Sequence, residues 1–229
     1  MSKKDLSELT MAEAFEKCLC KPGHFSDLPI FQSVFREVIC QQGIVDFVAS
    51  PNSKLTNHPI REITKSVKSN GTGSVRVLSL LKPKAPRTVQ YIIKRTGYSN
   101  HTARHILSTL MRKGLVRQNT KGSYVLYRKT VIPQVELWAF ELKLRNWKRA
   151  LFQALQCKAF ANYVVVVFPK NRKALLNKHL YRFRKMRIGV ILFDPIDESH
   201  DFLVKPLKDR PTSRMHYLYT FSQIAARVK

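Results

Sequence analysis

Residues 138–156 read WAFELKLRNWKRALFQALQ, and the opening WAFELKL decides what kind of molecule this is. Side chains alternate across a strand with period two. Glu141 and Lys143 therefore share one face, while Phe140, Leu142 and Leu144 share the other. A carboxylate and an ammonium on an otherwise apolar strand pay several kcal/mol of desolvation that their own attraction does not reliably recover. A divalent cation changes that balance. Mg²⁺ takes hard oxygen ligands and keeps several waters, so Glu141 could bind it directly. Lys143 could then hold the attacking water or stabilise charge developing on a phosphorus centre. A second carboxylate has to come from a neighbouring strand, and Asp46 in GIVDFV is the acid placed to supply it.

The flanks extend this strand into an α/β pattern. Asn146 is placed to cap a helix over 146–160. YVVVVFP (163–169) is a continuous apolar run, as in a strand buried on both faces. A basic stretch, KNRKALLNKHLYRFRKMR (170–187), is predicted as one helix around Leu176, Leu180 and Phe183, and IGVILFDP (188–195) as a strand. Its many cations suit either a solvated face or a DNA backbone. Near the N-terminus, Met11, Phe15, Cys18 and Leu19 have helical spacing. SVFREVIC and IVDFVAS follow as a hairpin. The predicted order is helix, three strands, helix, strand, helix, strand, with a long interruption between the second and third strands.

The interruption has its own character. Between Glu62 and Glu136 there is no acid, but there are 15 lysines and arginines. Ordinary solvated surfaces mix both signs, so this window suits a phosphate-facing module. Helices are predicted over 74–82, 87–97 and 98–114, the second closed by Gly97 and the third capped by Ser99. Ala103, Ile106, Leu107 and Leu110 form the inner face of the third. LVRQNTKGSYVLYRK (115–129) follows as two short strands around Lys121-Gly122. Three helices and a hairpin in this order resemble the winged helix-turn-helix family. The resemblance implies that the third helix enters the major groove. Its outward residues would be Asn100, His101, Arg104 and Ser108, with Arg117, Asn119 and Lys121 offered to phosphate by the wing. A winged helix used for protein contacts is the other reading.

Asp46 followed by Glu141-Leu142-Lys143, set in an αβββαβ order, resembles the PD-(D/E)xK nuclease superfamily, the restriction-endonuclease-like fold. The likeness covers 1–50 and 134–195 in pieces. It implies a metal site on Asp46 and Glu141, with Lys143 catalytic, and a metal cofactor, Mg²⁺ or Mn²⁺. An acid on the first helix often joins that site, which makes Glu13 and Glu16 candidates, with Glu13 preferred because Glu16 lies nearer the polar flank beside Lys17. A glutamine on the helix after the E-x-K strand is frequent, and Gln153 occupies that place. Val45 precedes Asp46 where many members carry proline. Read without the resemblance, Glu141 and Lys143 could form an ion pair at a sheet edge. Asp46 could equally cap a turn near Gly43, and Trp138 and Trp147 read as packing residues. The organisation expected is a discontinuous nuclease-like domain, 1–62 and 131–229, around an inserted winged helix-turn-helix, 63–130.

Composition bounds the partners. The chain has 229 residues, 44% of them apolar, with 41 Lys and Arg against 15 Asp and Glu. The formal charge of +26 repels itself unless a polyanion relieves it. No apolar run approaches the ~20 residues needed to span a bilayer, and MSKKDLSELT lacks the apolar core of a signal peptide. The partner expected is DNA rather than a membrane surface, and the compartment cytoplasmic. Cys18, Cys20, His24 and Cys40 do not follow the usual structural-zinc spacing, so the cysteines, Cys157 included, read as buried reduced thiols. The expected function is a Mg²⁺-dependent DNA endonuclease serving defence, mobile-element processing or repair. Cutting two strands favours a homodimer. A junction resolvase or transposon-end nuclease shares the chemistry. The alternative from a different class is a non-catalytic DNA-binding regulator on a nuclease-like fold.

Overall fold

The structure is a computed structural model and describes residues 7–53, 55–127, 130 and 134–228. In chain order the elements begin with α1 (Glu8–Cys20), β1 (Ser33–Cys40) and β2 (Gly43–Ser50). They continue with α2 (His58–Asn70), α3 (Gly73–Leu80), α4 (Val89–Thr96) and α5 (Asn100–Arg112), then β3 (Val116–Gln118) and β4 (Tyr124–Leu126). After these come β5 (Trp138–Leu142), α6 (Trp147–Cys157), β6 (Tyr163–Pro169), α7 (Lys173–Asn177) and α8 (Leu180–Lys185). β7 (Gly189–Phe193), β8 (His200–Val204) and α9 (Arg214–Ala225) close the chain. The class is mixed α/β, as expected, with a six-stranded sheet and nine α-helices among the described residues.

Two compact units divide the chain: residues 1–53 with 135–213, and 54–134 with 214–229. The first is built on the six-stranded sheet, in the order β1-β2-β5-β6-β7-β8. β2 pairs antiparallel with both β1 and β5; β5, β6 and β7 are parallel, and β8 returns antiparallel to β7. β6 is buried nearly throughout, which its unbroken valine run requires. α1 covers one face. Met11, Phe15, Cys18 and Leu19 pack with Phe47, Phe140, Leu142, Val165, Val167, Ile191 and Phe193 in one apolar cluster. Phe15 sits at its centre, with ring centroids 5.3–6.0 Å from Phe25, Phe47, Phe140 and Phe193. Alternation then turns Glu141 and Lys143 to the opposite face, where α6 packs.

Both edges of the sheet are irregular. On β1, Glu37 adopts φ 49° in mid-strand, between the pairs Arg36↔Phe47 and Val38↔Val45. That conformation costs a non-glycine residue roughly 1–2 kcal/mol. On the opposite edge the β7–β8 register shifts between Val190 and Ile191.

The second unit has α2, α3, α4, α5 and α9 around Ile60, Ile63, Val75, Leu78, Ile92, Ile106, Leu107, Leu110, Leu218, Phe221 and Ile224, all buried. Ser99 caps α5 by accepting the Thr102 N–H, and Gly97 ends α4 at φ 74°, both as the sequence predicts. β3 and β4 form the hairpin, and an isolated bridge joins Arg87 to Tyr124. Arg128 and Lys129, at the far end of the predicted hairpin, lie outside the described residues.

Three expectations are corrected. The unit boundary falls at 53/54 rather than 62/63, because α2 buries Ile60, Ile63 and Val67 within the helical unit. α9 belongs to that unit as well, since Arg214 donates to the Leu81 carbonyl at 2.7 Å and the α9 side chains fill its core. The long basic helix is broken into a 3₁₀ turn at Lys170–Arg172, α7 and α8. His179 leaves helical geometry at φ −124°, ψ 0°, and its ring stacks on Trp147 at 4.1 Å.

Candidate functional site

The β2–β5 pairing runs Ala49↔Trp138, Val48↔Ala139, Phe47↔Phe140. One step further along, Asp46 stands across from Glu141. There the ladder stops, and Asp46 Oδ2 accepts the Leu142 main-chain N–H at 2.7 Å. Lys143 completes the group. Its Nζ lies 3.9 Å from Asp46 Oδ2 and 3.9 Å from Glu141 Oε2, and it donates to the Leu142 carbonyl at 2.8 Å. The three residues singled out from the sequence thus converge at one end of a strand pair.

Glu141 is 1% exposed. Cys157 on α6 donates its thiol to Oε1 at 3.8 Å, but Oε2 accepts no hydrogen bond. Gln153 Oε1 is also buried without a donor. Both residues line a small cavity of about 70 Å³ shared with Cys40, Gly43, Ile44 and Val45. Two buried acceptor oxygens without donors cost free energy unless a cation or further donor meets them. Burial, and then the Asp46 charge, push the Glu141 carboxyl up to about 7. Burial also raises Asp46, against the opposing pull of the Leu142 N–H and Lys143. The Cys157 thiol is pushed well above its ordinary value, first by burial and then by Glu141. It stays protonated and serves as a donor.

The two α1 acids singled out from the sequence have other surroundings. Glu13 is exposed, and Glu16 pairs with Arg36 at 3.6 Å. Glu8, the first residue of the helix, is the acid whose charge raises both Asp46 and Glu141. It lines an open cleft of about 380 Å³ with Lys143, Leu144, Arg145, Asn146 and Arg149. Ser7, which caps α1 by accepting the Thr10 N–H, fixes where that helix starts and therefore where Glu8 stands. Among the predicted set, Asp46, Glu141, Lys143 and Gln153 are assembled on one face and Glu13 is not. Glu8 and Cys157 are the additions. No spacing rule in the sequence marks Cys157, which joins the set only because α6 packs on β5.

In the helical unit Asn100, His101, Arg104 and Ser108 are exposed along one side of α5. Arg104 Nε donates to Asn100 Oδ1 at 2.7 Å. Arg117 and Lys121 project from the hairpin into solvent. Asn119 does not offer its carbonyl outward, because Oδ1 accepts the Lys121 and Ser123 N–H groups at 3.1 and 2.9 Å and builds the turn. The acid that closes the positive window, Glu62, is neutralised by Lys65 at 2.6 Å and Lys113 at 3.7 Å.

Residues 74–120 match the family described as the IclR helix-turn-helix domain. The match spans α3, α4, α5 and β3, so this segment is a helix-turn-helix DNA-binding domain of the IclR type. No curated protein and no solved structure matches the chain. No helix among the described residues is long and apolar enough to cross a membrane.

Proposed function

We propose that the chain is a metal-dependent DNA endonuclease of the PD-(D/E)xK type that engages duplex DNA through its helix-turn-helix. The observation that carries this reading is the convergence of Asp46, Glu141 and Lys143, with Glu141 buried and one of its oxygens lacking a donor. The order α1, β1, β2, β5, α6, β6, with β5 antiparallel to β2 and parallel to β6, agrees with an αβββαβ core.

The donor set is all oxygen and suits Mg²⁺ or Mn²⁺. Asp46 and Glu141 would hold the ion, and the candidates to complete the set are Glu8, which lines the cleft beside Lys143, and Gln153, which shares the Glu141 cavity. Bound there, the metal would supply Lewis-acid polarisation of a phosphate oxygen and a lowered water pKa. The chain's own residues do the rest. Lys143, tethered by the Leu142 carbonyl, carries fixed positive charge to where a phosphorane would develop negative charge. Arg145 and Arg149 flank the same cleft and offer guanidinium groups to the phosphates on either side. Cys157 holds one Glu141 oxygen and so orients the carboxylate. Cutting both strands of a duplex would draw on two copies of the chain.

A second reading has its own support. The IclR-type match favours a DNA-binding regulator in which the α/β unit is not catalytic. One assay separates the two. Purified protein is incubated with supercoiled, linear and branched DNA in Mg²⁺, Mn²⁺, Ca²⁺ or EDTA, beside Glu141→Gln and Lys143→Ala. The nuclease reading expects cutting with Mg²⁺ or Mn²⁺, binding alone with Ca²⁺, and no cutting by either variant. DNA of every form, branched substrates included, that is bound in every condition and cut in none favours the regulator.

A further inference from the structure

A second cluster of donors lies at the other end of α1. Cys18, in the last turn of the helix, His24, in the segment that follows, and Glu198, in the turn between β7 and β8, bring one ligand atom each to within 4.8 Å of one another. These atoms come from three separate stretches of chain. We propose that Cys18, His24 and Glu198 form a structural zinc site that ties the end of α1 and the 21–32 segment to the β7–β8 turn.

The donor chemistry selects the metal. A thiolate, an imidazole and a carboxylate together suit Zn²⁺ and are poor company for Mg²⁺ or Ca²⁺. Tetrahedral zinc with bonds of about 2.0–2.3 Å places its ligand atoms roughly 3.3–3.8 Å apart. Separations of up to 4.8 Å therefore need to close by no more than about 1–1.5 Å, within reach of side-chain rotation. The backbone is already set for it. Glu198 adopts φ 58°. In that conformation its carbonyl meets His24 Nε2 at 2.9 Å and its carboxylate lies beside the Cys18 thiol. Lys17 holds Oε1 at 2.6 Å, which fixes the carboxylate in place. The fourth position falls to water or to His200, whose ring centroid is 5.7 Å from that of His24.

Sequence spacing does not single out this site, because it groups Cys18 and His24 with Cys20 and Cys40. Cys20 is exposed and Cys40 is in β1, and the third donor comes from Glu198, far along the chain. The site is also distinct from the carboxylate group at Glu141. Cys18 lies ten residues from Glu8 on the same helix, about 15 Å at 1.5 Å per residue. The inference does not depend on nuclease activity.

The test uses the full chain, stripped of metal and kept reduced, titrated with Co²⁺ as a spectroscopic probe. The expected result is a thiolate-to-cobalt charge-transfer band saturating near one equivalent and displaced by Zn²⁺. Glu141→Gln keeps that band and Cys18→Ser loses it. His24→Ala, a substitution in a partly exposed segment, weakens binding at least about tenfold. If Cys18→Ser does not fold, His24→Ala and Glu198→Gln decide the matter by circular dichroism and the same titration. Absence of the band in the wild type overturns the proposal. So does a band of unchanged affinity in both His24→Ala and Glu198→Gln.

Discussion

Asp46 Oδ2 takes the main-chain N–H of Leu142 at 2.7 Å, so a side chain stands where a backbone carbonyl would otherwise continue the β2–β5 ladder. The same residue is thus a strand-pairing element and a candidate metal ligand, and the two roles can be pulled apart by substitution. Asp46→Asn keeps an acceptor for Leu142 and should unfold at nearly the wild-type denaturant midpoint. Asp46→Ala strands that N–H and should cost about 1–3 kcal/mol. Both variants should lose DNA cleavage. Urea denaturation alongside a plasmid-nicking assay checks both halves, and an Asn variant that cuts normally removes Asp46 from the metal site.

The raised Glu141 carboxyl gives a pH signature. In the unfolded chain it titrates near its ordinary 4.5, whereas in the folded protein it holds its proton up to about 7. The folded state therefore binds more protons between those values, and stability is greatest below the lower one and is lost as pH rises through the upper. Asp46, also raised, adds in the same direction. Metal binding needs the ionised form, so cleavage should rise from pH 6 to pH 8, and Mg²⁺ should stabilise more at pH 8 than at pH 6. Thermal melts across pH with and without Mg²⁺ test this. In Glu141→Gln most of the slope should vanish.

Arg104 and Asn100 are already joined at 2.7 Å, which presents the guanidinium edge in one orientation. Arginine pairs bidentately with guanine, so Arg104→Ala should cost ~1–3 kcal/mol at a preferred base and flatten sequence preference. Lys121→Ala should weaken all duplexes alike and lower the salt slope by roughly 0.9. Binding titrations at two salt concentrations distinguish these outcomes. An Arg104→Ala variant with unchanged affinity and preference would show that α5 is not the reader.

Phe221 on α9 is fully buried in the helical unit. Phe221→Ala should destabilise that unit by about 3–5 kcal/mol. Hydrogen exchange should show the loss in α2 and α3 first. Exchange that rises only in β6 and β7 would place α9 with the sheet.

What the sequence disclosed follows physical lines. Alternation is local, so the shared face of Glu141 and Lys143 was legible, and so were the Ser99 cap and the inner face of α5. α2 was obscured by Pro59, which reads as a breaker although it occupies the first helical turn, where no N–H is required. β8 is short, lies at the sheet edge and carries an exposed Asp201, so its apolar signal is weak. α9 has apolar residues on most sides, because helices pack around it, and shows little periodicity. Glu8 was missed for another reason. Which acid of a helix faces a given cleft depends on where the helix starts and how it crosses the sheet, and spacing carries no information about the crossing.

The left-handed backbone at Glu37 has a consequence for solubility. An outermost strand normally offers a row of unpaired N–H and C=O groups on which another chain can dock and propagate. On β1 that row is broken at Glu37, where a charged side chain also faces solvent, although Ile39 and Ile44 nearby are half exposed. The register shift beside β8 interrupts the opposite border. The sheet is thereby guarded against templated stacking at both margins, and Glu37→Val, which removes the charge and favours ordinary extended backbone, should make the protein more prone to aggregate.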